Sequence, residues 1–171
     1  MPDNQRFFFL DMTKNGVPKG GCMKLAHKDW LELDDWDFSM HQTADPNIKG
    51  GRPSKTSATG RFGFKIKHNG PAIFKLAAMG QFIGDKVPIT FQAQRSGLTS
   101  AGEGGSIETY LELVFTRVAV SHRSISGDEG DKTEHVELAF EKVQMTYRPI
   151  VNGKLGTAVT KMYDAKSNKL A

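Results

Sequence analysis

The sequence predicts a mainly β protein built on long, bent strands, and three phase changes in its apolar alternation carry that expectation. Apolar parity passes from Leu31 and Leu33 to Trp36, Phe38 and Met40, with the slip at Asp34 and Asp35. Leu111, Leu113 and Phe115 give way to Val118 and Val120, with the slip near Thr116 and Arg117. Val136, Leu138 and Phe140 give way to Val143, Met145 and Tyr147 across Glu141 and Lys142. Strand side chains alternate faces, so an apolar set keeps one core only if an extra residue interrupts the pleat at each slip. Bent strands of this kind suit a small closed barrel or a corner-turning sandwich. They argue against a fold of βαβ units.

Each element has its own signal. Residues 6–11 read as a first strand, followed by turns through Asn15, Gly16, Pro18, Gly20 and Gly21. Residues 29–42 form a second, bulged strand. Residues 43–59 are polar and contain Pro46, Gly50, Gly51 and Pro53; a connection so long is usually functional or disordered. Strand character resumes over 61–68, where Phe62, Phe64 and Ile66 alternate with Gly63, Lys65 and Lys67. One helix is expected from Pro71 to Met79. Pro71 suits a first helical position, Ile73, Leu76, Ala77 and Gly80 follow the helical period, and Gly80 suits a left-handed cap. Val87, Ile89, Phe91 and Ala93 mark a strand that Pro88 places at an edge or bulge. A Gly/Ser-rich tip over 96–106 precedes the two longest strands, 109–121 and 134–147, which a polar loop joins. A last strand is expected over 157–164.

Composition bounds the rest. At 171 residues, one domain spanning residues 1–171 is expected. Hydrophobic residues make up 38% and glycines number 18, which fits turns and half-solvated strands better than a thick α/β core. Cys22 is the only cysteine, so a single chain can form neither a disulfide nor a cysteine-based metal site. The apolar run Phe7–Leu10 is too short for a signal peptide, and no stretch is long enough to span a membrane. The chain is thus expected to fold in the cytosol and to need a dedicated machine for any export. Its net charge of +4 comes from scattered Lys and Arg, a balance that permits nucleic-acid binding without arguing for it.

The search for chemistry yields little. Gly51, Arg52, Pro53, Ser54, Lys55 and Thr56 resemble a phosphate loop but have Ser54 where the glycine before the lysine belongs. Gly102, Gly104 and Gly105 begin like a dinucleotide fingerprint, with no helix to follow. His27, His41, His68, His122 and His135 have no metal-ligand spacing and read as surface or strand-end residues. Asp34, Asp35 and Asp37 splay to different faces of a bulged strand. Ser121, His122 and Ser124 lack the glycines of a nucleophile elbow. No catalytic residue, metal or cofactor is expected. Phe62, Phe64, Lys65 and Lys67 interleave aromatic and basic types, as single-stranded nucleic-acid binders do. Their parity nevertheless puts the phenylalanines in the core.

Three segments resemble a known family. The run from His27 to Trp36, HKDWLELDDW, is similar to a second-strand segment of Hcp, the haemolysin co-regulated tube protein of bacterial type VI secretion. The helix PAIFKLAAMG from Pro71 resembles that family's helix. GDKTEHVELAFEKV from Gly130, ending in Met145, Thr146 and Tyr147, resembles its Glu-x-Val-x-Leu-x-Phe-x-Lys-Val strand. Tyr110 to Leu113 and Val120–Ser121 fit in order and spacing. The likeness runs roughly over residues 7–168. It departs at Gly20, Gly21 and Cys22, where many relatives carry Gly-Glu-Ser, and in the loop 43–59.

The resemblance implies a compact barrel of two packed, antiparallel-rich β-sheets with one flanking α-helix. It further implies six-membered rings stacked into a hollow tube, which a contracting sheath propels behind a VgrG-type spike. Secreted effector proteins would ride inside, and the protein would be cytoplasmic before firing and extracellular after it. Neither enzymatic activity nor membrane insertion is implied. On the residues themselves, Asp45, Asn47, Lys49, Arg52 and Lys55 are expected to reach a neighbouring ring or subunit. The alternative expectation is a single-stranded nucleic-acid-binding β-barrel.

Overall fold

A computed structural model describes residues 6–15, 19–42, 58–67, 71–85, 87–97, 107–127, 132–165 and 169–170. In chain order, β1 (Arg6–Asp11), β2 (Leu31–Glu32), β3 (Asp35–Gln42) and β4 (Ala58–Lys67) lead to the helix α1 (Pro71–Met79). Then come β5 (Ile89–Ser96), β6 (Ile107–Gly127), β7 (Lys132–Tyr147), β8 (Ile150–Val151), β9 (Lys154–Leu155), β10 (Val159–Asp164) and β11 (Lys169–Leu170). Among the described residues the fold is mainly β with one α-helix, as the sequence predicts. The two expected layers belong to one nine-stranded antiparallel sheet, with β8 and β9 forming a separate small hairpin.

That sheet closes on itself. β1 pairs with β5, β5 with β6, β6 with β7, β7 with β4, and β4 with β3. The circuit is completed by the chain itself, because β3 is the continuation of β2, and β2 pairs with β1. The Leu33 amide donates to the Phe8 carbonyl and the Asp34 amide to the Lys65 carbonyl, each at 2.9 Å. The expected single strand over 29–42 is therefore two strands, divided where the chain leaves one neighbour for the other. That change of partner is the cause of the parity slip at Asp34 and Asp35.

The two later slips face each other. Thr116 pairs with Lys142 and Val118 with Phe140, so Arg117 and Glu141 stand opposite between two intact rungs. Core-facing parity moves from Leu113 and Phe115 to Val118 on β6, and from Leu138 and Phe140 to Val143 on β7. Both strands turn at one level and register is kept. Arg117 adopts φ 53°, a left-handed conformation costing roughly 1–2 kcal/mol for an L-residue. The segment after α1 holds this bend. The Arg117 amide donates to the Gly84 carbonyl at 2.7 Å, and the Ile83 amide donates to the Val118 carbonyl at 2.6 Å. The Arg117 side chain meets Asp85 at 2.9 Å and Glu141 at 2.7 Å, and lies over the Phe82 ring.

Inside the barrel, Phe62, Phe91 and Phe115 are fully buried; Phe62 packs tilted against Phe91 at 5.0 Å and Phe115 at 4.9 Å, with Phe140 5.0 Å from Phe115. Leu10, Ile66, Ile89, Leu113, Val118 and Leu138 complete the packing, and α1 adds Ile73. Phe62 and Phe64 lie in this core and not on a nucleic-acid platform, as their parity predicts. Gly80 ends α1 at φ 59°, also as expected. Sequence reading did not anticipate β8, β9 and β11. The β8–β9 turn is Asn152–Gly153, both at positive φ, which is the commonest short hairpin signal.

Candidate interaction surfaces

Segment 19–30 is a strap across the outer face of β1. The Gly20 amide donates to the Asp29 carbonyl at 2.7 Å, the Asp29 amide to Cys22 at 3.0 Å, and the Cys22 amide to Trp30 at 3.2 Å. A side chain on Gly20 would put its Cβ 2.1 Å from the Trp30 carbonyl oxygen, so only glycine fits. Beneath the strap Phe9, Cys22 and His27 are buried. The His27 ring stacks on Phe9 at 4.1 Å and meets the Trp30 edge at 4.8 Å. Its Nε2 donates to Gln92 Oε1 at 2.8 Å, and Gln92 Nε2 donates to Glu112 Oε2 at 2.9 Å. His27 is thus an enclosed, hydrogen-bonded side chain, not the surface residue the sequence suggests. The strap's outer side presents Met23 and Leu25, 86% and 97% exposed. They flank Lys24, which bridges to Glu32 at 2.9 Å and sits over the Phe7 ring.

A second surface lies around α1. Phe74, Met79 and Phe82 are exposed there. Below Phe74, the Arg123 guanidinium pairs with Glu134, whose side chain is completely buried. Glu134 shares parity with Val136, Leu138 and Phe140, which is why an inward strand position carries a carboxylate. At the other end of β6, burial holds the Tyr110 phenol above its usual range, against the opposing pull of Arg6 and Arg95.

The third surface is the outer wall made by β3, β4, β7 and the far half of β6. Asp35 pairs with Lys65 at 3.3 Å, and Arg61 approaches Glu137 at 3.6 Å. Asp34, Asp35 and Asp37 are all exposed, but against the expected splay Asp35 and Asp37 share parity on β3 and therefore one outer face, where Lys65 occupies Asp35. Ser121 is an extra residue in β6, so Val120 faces Leu138 inward while His122 faces Glu137 outward. This bulge brings His122 and His135 together, ring centres 6.3 Å apart. Residues distant in sequence became neighbours through strand register, which residue spacing does not encode.

Asp45, Asn47, Lys49, Arg52 and Lys55 lie outside the described residues, as do the loops with Gly51–Thr56 and Gly102–Gly105. Among the described residues no group of three His, Cys, Asp or Glu side chains is gathered for a metal ion. Nor is any helix there long and apolar enough to cross a membrane.

The described residues thus define a closed, mainly antiparallel β-barrel with a strapped outer face and exposed apolar side chains. A family model described as type VI secretion system effector, Hcp, matches residues 9–147, and the chain belongs to that family. The crystal structure of Hcp1 from Salmonella typhimurium superposes with a TM-score of 0.71 at 27% identity, covering 97% of this chain and 99% of that one. A structure described as a type six secretion system protein gives 0.70 at 20% identity, over 98% and 100%. A type VI secretion system effector from Yersinia pestis gives 0.63 at 18% identity, over 94% and 99%. A search among curated proteins returns no match.

Proposed function

We propose that this chain is a tube subunit of a type VI secretion apparatus, acting by shape and not by catalysis. Six copies close a ring, rings stack head to tail, and the hollow stack carries effector proteins behind a VgrG-type spike when the sheath contracts. The protein is made in the cytoplasm and leaves the cell with the tube. The observation that carries this reading is the family match over residues 9–147 on a closed barrel of matching fold.

A ring needs heterologous surfaces that close by rotation, and a tube needs a second contact repeating along its axis. Met23 and Leu25 on the strap, and Phe74, Met79 and Phe82 around α1, supply exposed apolar contact area. Asp45, Asn47, Lys49, Arg52 and Lys55 act in the axial contact, setting register more than affinity at about 0–1 kcal/mol for each exposed pair.

Negative-stain images and light scattering of the purified chain test the proposal. Rings with a central hole and a six-fold mass are expected, and monomers at high concentration would overturn it. Deleting residues 47–54 is expected to stop stacking while rings and folded monomers persist; normal tubes from the deletion would remove this loop from the axial contact.

A further inference from the structure

We propose that His122, His135 and Glu137 form a binding site for a divalent transition-metal ion of the zinc type, on the outer wall of the barrel. The argument is one of register. His122 on β6 stands directly opposite Glu137 on β7, and His135 lies two residues from Glu137 on the same strand and therefore the same face. Two ligands spaced i, i+2 on one strand, with a third across from them on its antiparallel neighbour, converge on one point above the sheet. Side chains directly opposite are only about 4.5–5.5 Å apart at Cβ. The β6 bulge is what creates the arrangement. Without Ser121 as the extra residue, His122 would pair with Val136 and point into the core. Bulges recur where a strand must re-aim a side chain.

The separation of the two histidines is near that of rings sharing one ion, and closing the site requires a turn of Glu137. The two imidazoles are 6.3 Å apart at their ring centres and inclined by 61°. Rings sharing one ion through nitrogen–metal bonds of about 2.0–2.1 Å have centres roughly 5–6 Å apart. The third ligand is held elsewhere: Glu137 leans toward Arg61, 3.6 Å away. Among the described residues, then, three donors do not yet surround one point. That ion pair is loose and Arg61 is 59% exposed, so little opposes the turn of Glu137. Lys65, in register with His135, is engaged by Asp35 and not directed at the histidines. Two imidazoles and a carboxylate suit zinc, nickel or copper better than magnesium or calcium. Three protein donors leave a position for water or another ligand, the coordination that open zinc sites keep.

The proposal stands independently of tube assembly and is tested on the tag-free, full chain after chelator treatment. Isothermal titration with zinc chloride should give one saturable site per chain, and cobalt substitution should give a visible d–d spectrum. His122→Gln and His135→Gln should each weaken zinc by at least the roughly 10–100-fold that loss of an outer-shell partner costs. His41→Gln, on the exposed end of β3, should leave affinity unchanged. Arg61→Gln frees Glu137 and should tighten binding, a gain that the additional change Glu137→Gln cancels. Thermal melts of each variant separate loss of the site from loss of fold. Absence of saturable binding, affinity indifferent to both histidine variants, or no gain from Arg61→Gln would each overturn it.

Discussion

Replacing Glu134 with alanine should destabilise the monomer more than any surface change in the molecule. Its side chain is fully buried, its partner Arg123 is 12% exposed, and Phe74 of α1 covers the pair, its ring 5.4 Å from the guanidinium carbon. Removing the carboxylate leaves a largely buried arginine charge without that partner beneath the helix. Breaking a buried pair from one side costs about 3–5 kcal/mol. For a chain of this size each kcal/mol moves the melting temperature by roughly 2–4 °C, so a fall of roughly 6–20 °C is expected. Replacing both members by leucine removes the uncompensated charge, and the double variant should recover most of the loss or exceed the parent. Urea unfolding followed by tryptophan fluorescence measures both, at concentrations low enough that assembly adds nothing to stability. A loss under about 1 kcal/mol in Glu134→Ala, or a double variant weaker than the single one, would show that the pair is not the desolvated contact described.

Three other outcomes follow from the geometry. Gly20→Ala pushes a Cβ into the Trp30 carbonyl and should cost about 1–3 kcal/mol, with faster hydrogen exchange at the Cys22 and Asp29 amides; unchanged exchange would mean the strap is not held there. Arg117→Gly should be more stable than Arg117→Ala, because glycine relieves the left-handed φ while both lose the links to Asp85 and Glu141. That reverses the usual order in a strand, and a normal order by thermal melts would sink the account of the bend. Met23→Ser with Leu25→Ser should leave monomer stability within about 0.5 kcal/mol, since both side chains are exposed. Ring population by size-exclusion chromatography should fall; unaffected rings would take the strap out of the interface.

The fold was legible wherever one strand faces water on one side. Parity placed Phe62, Phe64, Ile89, Phe91, Leu113 and Leu138 inside, and all are buried. It also located the three slips, because a fixed core leaves no other reading of two apolar sets in one strand. Sequence could not say what each slip was. At Asp34 the chain changes neighbours, whereas at Arg117 and Glu141 two paired strands turn together. Partner choice is a tertiary fact, and residue pattern does not contain it. The strap was missed for the same reason. His27 reads as a surface or strand-end histidine until the packing of 19–30 over β1 brings its ring to 4.1 Å from Phe9. Asn152–Gly153 is different, since its turn signal is present in the sequence itself. The candidate site divides likewise. His122 and His135 have no meaningful spacing along the chain, and only the Ser121 bulge makes them neighbours.

The bend at Arg117 carries a consequence for assembly. A sheet that turned by shifting register would leave unpaired amides and carbonyls on β6 or β7, open to pairing with other strands. Here both strands slip phase at one level, so the rungs on either side survive, and the backbone groups freed at the turn bond to Ile83 and Gly84. The clamp is reinforced by Asp85 and Glu141 on one guanidinium, which Phe82 shields from one side. The bend is therefore tied to the segment after α1 by backbone and side-chain contacts together. Ring closure demands a fixed angle, because an error of a few degrees per subunit accumulates around the circle and gives a helix instead of a ring. In the tube reading, loosening the clamp should thus change the assembly formed before it unfolds the subunit. Substituting Asp85 and Phe82 together should yield open or irregular oligomers from chains whose melting remains cooperative. Closed rings of unchanged diameter from that variant would show that the clamp stabilises the barrel without setting its geometry.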